Sequence, residues 1–123
     1  MTIPRIAIAA YRPKPGKHDV LLAEVRDHHH LLRSEGLATD RHPVVMRAAD
    51  GTIIEVFEWA SPAAIEEAHA NPRVQAMWGR FAKCCDYVPL ASLEEAANLF
   101  AEFEPLEIHL SPIVQPDPAH RAE

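Results

Sequence analysis

HPVVMRAADGTIIEVFEWA, residues 42–60, holds two runs rich in β-branched and aromatic residues on either side of Asp50-Gly51. An Asp-Gly pair takes the positive backbone angles of a tight type I′ turn, so the stretch predicts an antiparallel hairpin. If Asp50 and Gly51 are the two turn residues, Ala48 pairs with Ile53, Met46 with Glu55, Val44 with Phe57 and His42 with Trp59. Successive side chains alternate between the faces of a strand, so these residues share one side. The other side then carries Val45, Arg47, Ile54 and Val56. Whichever side meets the core, the opposite one is also apolar.

Outward from the hairpin, residues 3–11 (IPRIAIAAY) read as a first strand, and Arg12-Pro13-Lys14-Pro15-Gly16 as its stop. From Lys17 to Ser34, Leu21, Val25 and Leu32 recur at helical spacing, and Gly36 suits the C-terminal cap. Ser61-Pro62 supplies an N-cap and a first-turn proline for a helix to Ala70, which restarts after Asn71-Pro72 and runs to about Cys85. Ser92 to Ala101 reads as a short amphipathic helix with a Ser92/Glu95 capping box, and residues 103–110 as an edge strand. The chain then divides into one domain over residues 1–112 and a mobile, proline-rich tail over 113–123. The order β-α-β-β-α-β, with an extra helix before the last strand, predicts an α+β, ferredoxin-like fold with a four-stranded antiparallel sheet. Two helices cover one face of such a sheet, so the second apolar face calls for a second subunit and predicts a homodimer.

The composition narrows the function classes. Acidic residues outnumber basic ones 18 to 12, and the cations are scattered, which argues against nucleic-acid binding. No stretch has the apolar length of a membrane span, and the N-terminal residues lack the pattern of a secretory signal, so a cytoplasmic location is expected. Cys84 and Cys85 are adjacent, a spacing that suits neither an intrachain disulfide nor a structural zinc site. They read as reduced thiols, at least one of them buried. Four glycines give no phosphate-binding loop, and neither a nucleophile elbow nor a zinc-helix motif is present.

Glu58-Trp59-Ala60-Ser61-Pro62, the helix that follows it and His69-Ala70-Asn71-Pro72 resemble the dimeric α/β-barrel proteins with an antibiotic-biosynthesis-monooxygenase (ABM) type domain. The resemblance spans residues 3 to about 110. It implies that two sheets join back to back and that each subunit holds a small ligand between its sheet and helices. It also implies activities such as cofactor-independent oxygenation of aromatic compounds or oxidative haem breakdown. In the aromatic-oxidising branch a strand tryptophan follows an asparagine four positions earlier, and the similar positions here are Trp59 and Glu55. In the haem-degrading branch a tryptophan on the second helix precedes a histidine ligand by ten residues, where this chain has His69 and Gly79.

The residues themselves nominate a site. Glu55 stands between Ile53 and Phe57 on the face that carries Trp59, where loss of water would raise its pKa and suit it to act as a base. The plainer alternative is a carboxylate paired with an arginine such as Arg5, or one at the sheet rim. His28 follows Leu21 and Val25 on the inward face of its helix, and His29 and His30 rotate away from it. Imidazole moves protons near neutral pH, although a histidine among apolar residues is more often a satisfied core group. Three consecutive histidines diverge too far to chelate one metal ion. His69 sits beside the Asn71-Pro72 break, Tyr11, Phe57 and Trp59 supply aromatic wall, and Arg80 is placed to meet an anionic substrate. The expected activity is an oxygenase-like reaction on a small aromatic or polyketide-like compound, with no metal or tightly held cofactor. Glu55 and His28 are the catalytic residues, and Trp59, His69, Tyr11, Phe57 and Arg80 bind substrate. The alternatives are a non-catalytic ligand-binding or stress-related dimer, and an isomerase or lyase using the same acid-base pair.

Overall fold

The hairpin forms one residue out of the expected register. β2 (Val44–Arg47) and β3 (Ile53–Trp59) pair Val45 with Glu55 and Arg47 with Ile53. The cause is a three-residue turn: Ala48 N–H donates to Thr52 O at 2.8 Å and Gly51 N–H to Ala48 O at 2.9 Å. Gly51 takes a left-handed φ of 94°, and Asp50 Oδ1 accepts the Thr52 N–H at 2.9 Å. The side-chain period of a strand is two, so the slip exchanges the β2 faces. Val45 and Arg47 now share a face with Ile53, Glu55, Phe57 and Trp59, and Val44, Met46 and Ala48 lie on the opposite one.

The computed structural model describes residues 3–107 and shows an α+β fold with three α-helices and an open, five-stranded antiparallel sheet. The tail expected at residues 113–123 lies outside the described residues. β1 (Arg5–Pro13) and β3 are central, and the order is β4-β1-β3-β2-β5. β4 (Cys85–Val88) was not expected. It follows α3 (Pro72–Cys84) with no intervening residue and pairs with Ala10–Pro13 of β1. β5 (Glu104–Leu106) lies on β2, where Arg47 holds Glu104 at 3.1 Å, and residues 108–110 of the expected strand lie outside the described residues. In place of the helix expected over 92–101, two 3-10 turns occupy Leu90–Ser92 and Glu94–Ala97. The expected capping box is absent there: Ser92 Oγ donates to Pro89 O, and Glu95 Oε2 accepts the Ala49 N–H.

α1 (His18–Ser34) ends where Gly36, at φ 77°, lets the Gly36 N–H reach Arg33 O and the Leu37 N–H reach Leu32 O. α2 (Pro62–Ala70) is capped by Ser61 Oγ, and α3 by Asn71 Oδ1, which accepts from Arg73 and Val74. Asn71 thus closes one helix and opens the next. All three helices pack on the sheet face bearing Tyr11, Val45, Ile53 and Phe57, through Leu21, Val25, Ala68, Met77 and Phe81.

The second face is divided. At one end Leu93 and Phe103 pack over Ala10, Ala48 and Ile54, so that end is capped from within the chain. This corrects the expectation that the whole face awaits another subunit. At the other end Ile6, Ile8 and Val44 remain 57%, 51% and 53% exposed.

Candidate active site

On the helix-covered face, β1 presents Ala7, Ala9 and Tyr11 opposite Phe57, Glu55 and Ile53 of β3. Two alanines in mid-sheet leave space that larger residues would fill, and a cavity of about 360 Å³ opens there. Its lining converges from six elements: Ala9 and Tyr11 of β1, His28 of α1, Phe57 and Trp59 of β3, His69 of α2, Trp78 of α3 and Tyr87 of β4. Phe57 and Trp59 meet at 5.3 Å between ring centroids, and His69 stands edge-on to Trp78 at 5.1 Å.

Behind this lining lies Glu55, fully buried. Tyr11 Oη donates to its Oε1 at 2.7 Å. His28 Nδ1 lies 2.9 Å from Oε1 and 3.0 Å from Oε2. Arg5 is not a partner, and its guanidinium turns instead to the carbonyls of Ile3 and Pro4. Burial and the adjoining Glu55 push the Tyr11 hydroxyl well above its ordinary pKa, so it remains a donor. A carboxylate accepts and does not donate, so His28 carries a proton on Nδ1, and its neutral form leaves a lone pair on Nε2. That second nitrogen has no protein partner among the described residues. The His28 ring is part of the cavity lining. The arrangement is a carboxylate orienting an imidazole whose free nitrogen is available to the cavity, a pattern suited to proton transfer.

Glu55 therefore sits one shell back from the cavity and acts on it through His28. Tyr11, His28, Phe57, Trp59 and His69 are brought together as lining residues. Arg80 is not among them. It grips Glu24 at 3.1 Å and borders a separate hollow with Lys17, Val20, Lys83 and Cys84. Tyr87, on the unexpected β4, joins the lining without having been nominated from the sequence. Its hydroxyl is pushed up to about 12, chiefly by burial, so it faces the cavity as a neutral group. Cys84 and Cys85 are both free and buried, and burial pushes the Cys85 thiol up to about 12, away from thiolate chemistry. Among the described residues, no group of three or more His, Cys, Asp or Glu side chains is placed to hold a metal ion.

His29 departs from expectation, for it is buried beside His28. Its Nε2–H donates to Thr39 O at 2.8 Å, because the chain after α1 folds back over that side of the helix. Burial, reinforced by Arg33, holds its pKa below the ordinary 6.5. The unfolded chain therefore binds a proton more readily, and the stability carried by neutral His29 is full above pH 6.5 and is lost as pH falls. The urea midpoint is expected to fall between about pH 7 and about pH 5, with a slope of at most about 1.4 kcal/mol per pH unit from this one proton. In His29→Gln, which retains a donor for Thr39 O, that part of the slope disappears; an unchanged slope would assign the acid sensitivity to other groups.

Compared with family models, curated proteins and solved structures, the chain matches none.

Proposed function

We propose that this chain is a small enzyme of the ABM-like, oxygenase-like kind, acting on a small aromatic or polyketide-like compound through His28 and Glu55 without a metal or tightly held cofactor. The observation that carries this reading is His28, held from behind by Glu55, in the wall of a largely aromatic cavity. In the reaction, His28 Nε2 removes a proton from an acidic O–H or C–H of the substrate, and Glu55 stabilises the imidazolium that results. The electron-rich carbon left behind bonds to dioxygen, and the peroxide so formed takes the proton back. Loss of water from the hydroperoxide removes the hydrogen still on that carbon and leaves a carbonyl. Trp59 and Phe57 hold the ring plane, and His69 lies at the rim.

Oxygen uptake and carbonyl product with a panel of phenols and quinols, reduced in Glu55→Gln and Trp59→Phe, are the expected results. An isomerase or lyase would use the same pair and consume no oxygen. One observation favours a second reading: Glu55 is sealed and satisfied by Tyr11 and His28, as it would be in a binding module with no turnover. Ligand binding without any product across the panel would select that module and sink the enzyme.

The sheet order is compatible with the ferredoxin-like arrangement, with β5 added at the β2 edge. We place a second copy on the exposed end of the second face, forming the homodimer of a two-sheet barrel. Ile6, Ile8 and Val44 support this, since burying the wet half of each is worth roughly 1 kcal/mol. Sedimentation at micromolar concentration is expected to show a dimer for the native chain and a monomer for Ile8→Lys. A native monomer would remove the barrel.

A further inference from the structure

Two imidazoles line the cavity, and the protein fixes the tautomer of both. His28 gives its Nδ1 proton to Glu55, at 2.9 and 3.0 Å from the two carboxylate oxygens. His69 gives its Nδ1 proton to the Ile65 carbonyl, one turn back along α2, at 2.9 Å. A carbonyl oxygen and a carboxylate only accept, so each ring keeps a proton on Nδ1, and the neutral form of each presents a lone pair on Nε2. Neither Nε2 has a protein partner among the described residues. The two rings enter from different helices: His28 is buried against the sheet, and His69 is exposed beside Trp78. Among the described residues, no lysine, arginine, aspartate or glutamate belongs to the lining. Arg80, the cation nearest in sequence to Trp78, is held by Glu24 at a different hollow.

We infer that the cavity takes an uncharged, flat ligand bearing two hydrogen-bond donors, one hydroxyl meeting His28 Nε2 and a second meeting His69 Nε2. The inference rests on the reading of this cavity as a substrate site. A ligand lacking the donors leaves the buried His28 acceptor, and the His69 acceptor it covers, without partners, a loss that a greasy wall does not restore. A carboxylated ligand finds no counter-charge and must shed its hydration to enter. The hydrogen bond to His28 is also the one along which the proton would leave, so the recognition contact and the reactive contact coincide.

Calorimetric titration of the full chain separates the possibilities, with a naphthalenediol whose hydroxyls lie on opposite edges, its dimethyl ether and a naphthalene carboxylate as probes. The diol is expected to bind at least about tenfold more tightly than the ether, with the carboxylate weaker than either. His69→Phe is expected to lower diol affinity about fivefold and leave the ether unchanged. Equal affinity for diol and ether in the native chain, which requires no variant, would overturn the inference, as would a His69→Phe change that weakens both alike. Nitrogen-15 spectra giving the Nδ1–H form for both rings would support it, and an Nε2–H form for His69 would oppose it. Diol selectivity without oxygen uptake keeps this inference and ends the oxygenase reading; oxygen uptake with no preference for the diol does the reverse.

Discussion

Replacing Glu55 with leucine will cost the fold about 2–6 kcal/mol, because two buried donors lose their common acceptor. Leucine fits the space, so the loss comes from what the carboxylate leaves behind. The Tyr11 hydroxyl and the His28 Nδ1–H both point at it from buried positions, and each unsatisfied donor costs roughly 1–3 kcal/mol. Exposed pairs offer the contrast: Arg12–Asp50 and Arg47–Glu104 are in or near solvent, where such pairs contribute about 0–1 kcal/mol. Urea denaturation of Glu55→Leu, Glu55→Gln and the triple variant Tyr11→Phe/His28→Leu/Glu55→Leu checks the assignment. The triple variant, with no donor left stranded, is expected to recover most of the loss. A Glu55→Leu loss below about 1 kcal/mol would mean that water or movement satisfies those donors.

His28→Gln has the largest expected effect on turnover, a fall of about 10²–10⁴-fold in kcat, the usual worth of a positioned general base. Glutamine retains an amide donor for Glu55 and removes the lone pair that takes the substrate proton. Its KM is therefore expected to move far less than kcat, and its stability to move less than that of Glu55→Leu. Oxygen uptake measured over a range of substrate concentrations separates the two constants. A His28→Gln variant that turns over at the native rate would transfer the proton chemistry to another residue and undo the reading of the Glu55–His28 pair.

The elements with strong local signals were legible in the residues alone. Periodicity marked α1, Ser61-Pro62 and Asn71-Pro72 marked the starts of α2 and α3, and the alternation around Asp50-Gly51 marked the hairpin. Its register was not legible, because Asp-Gly serves both two- and three-residue turns, and the extra residue is decided by Thr52 and the Gly51 backbone. β4 was hidden for a related reason: four residues, Cys85 to Val88, carry no periodicity of their own and become a strand by pairing with β1. With β4 went Tyr87. The gathering of His28, Glu55 and Trp59 was legible from side-chain direction, as was the inward turn of His28. The burial of His29 was not, since it depends on where the chain beyond Gly36 returns.

The absence of any spacer between α3 and β4 makes the cavity wall a single mechanical piece. Trp78 and Phe81 lie three residues apart on α3, and Phe81 stacks on Tyr87 of β4 at 6.5 Å and 19°. A bulky guest that shoulders Trp78 aside therefore drags Tyr87 and the sheet margin with it. Reshaping this chamber for larger guests is best begun on the α1 flank, where residues 35–43 beyond the helix give slack, because each ångström gained along the helix-to-strand seam is taken from the pairing of β4 with β1.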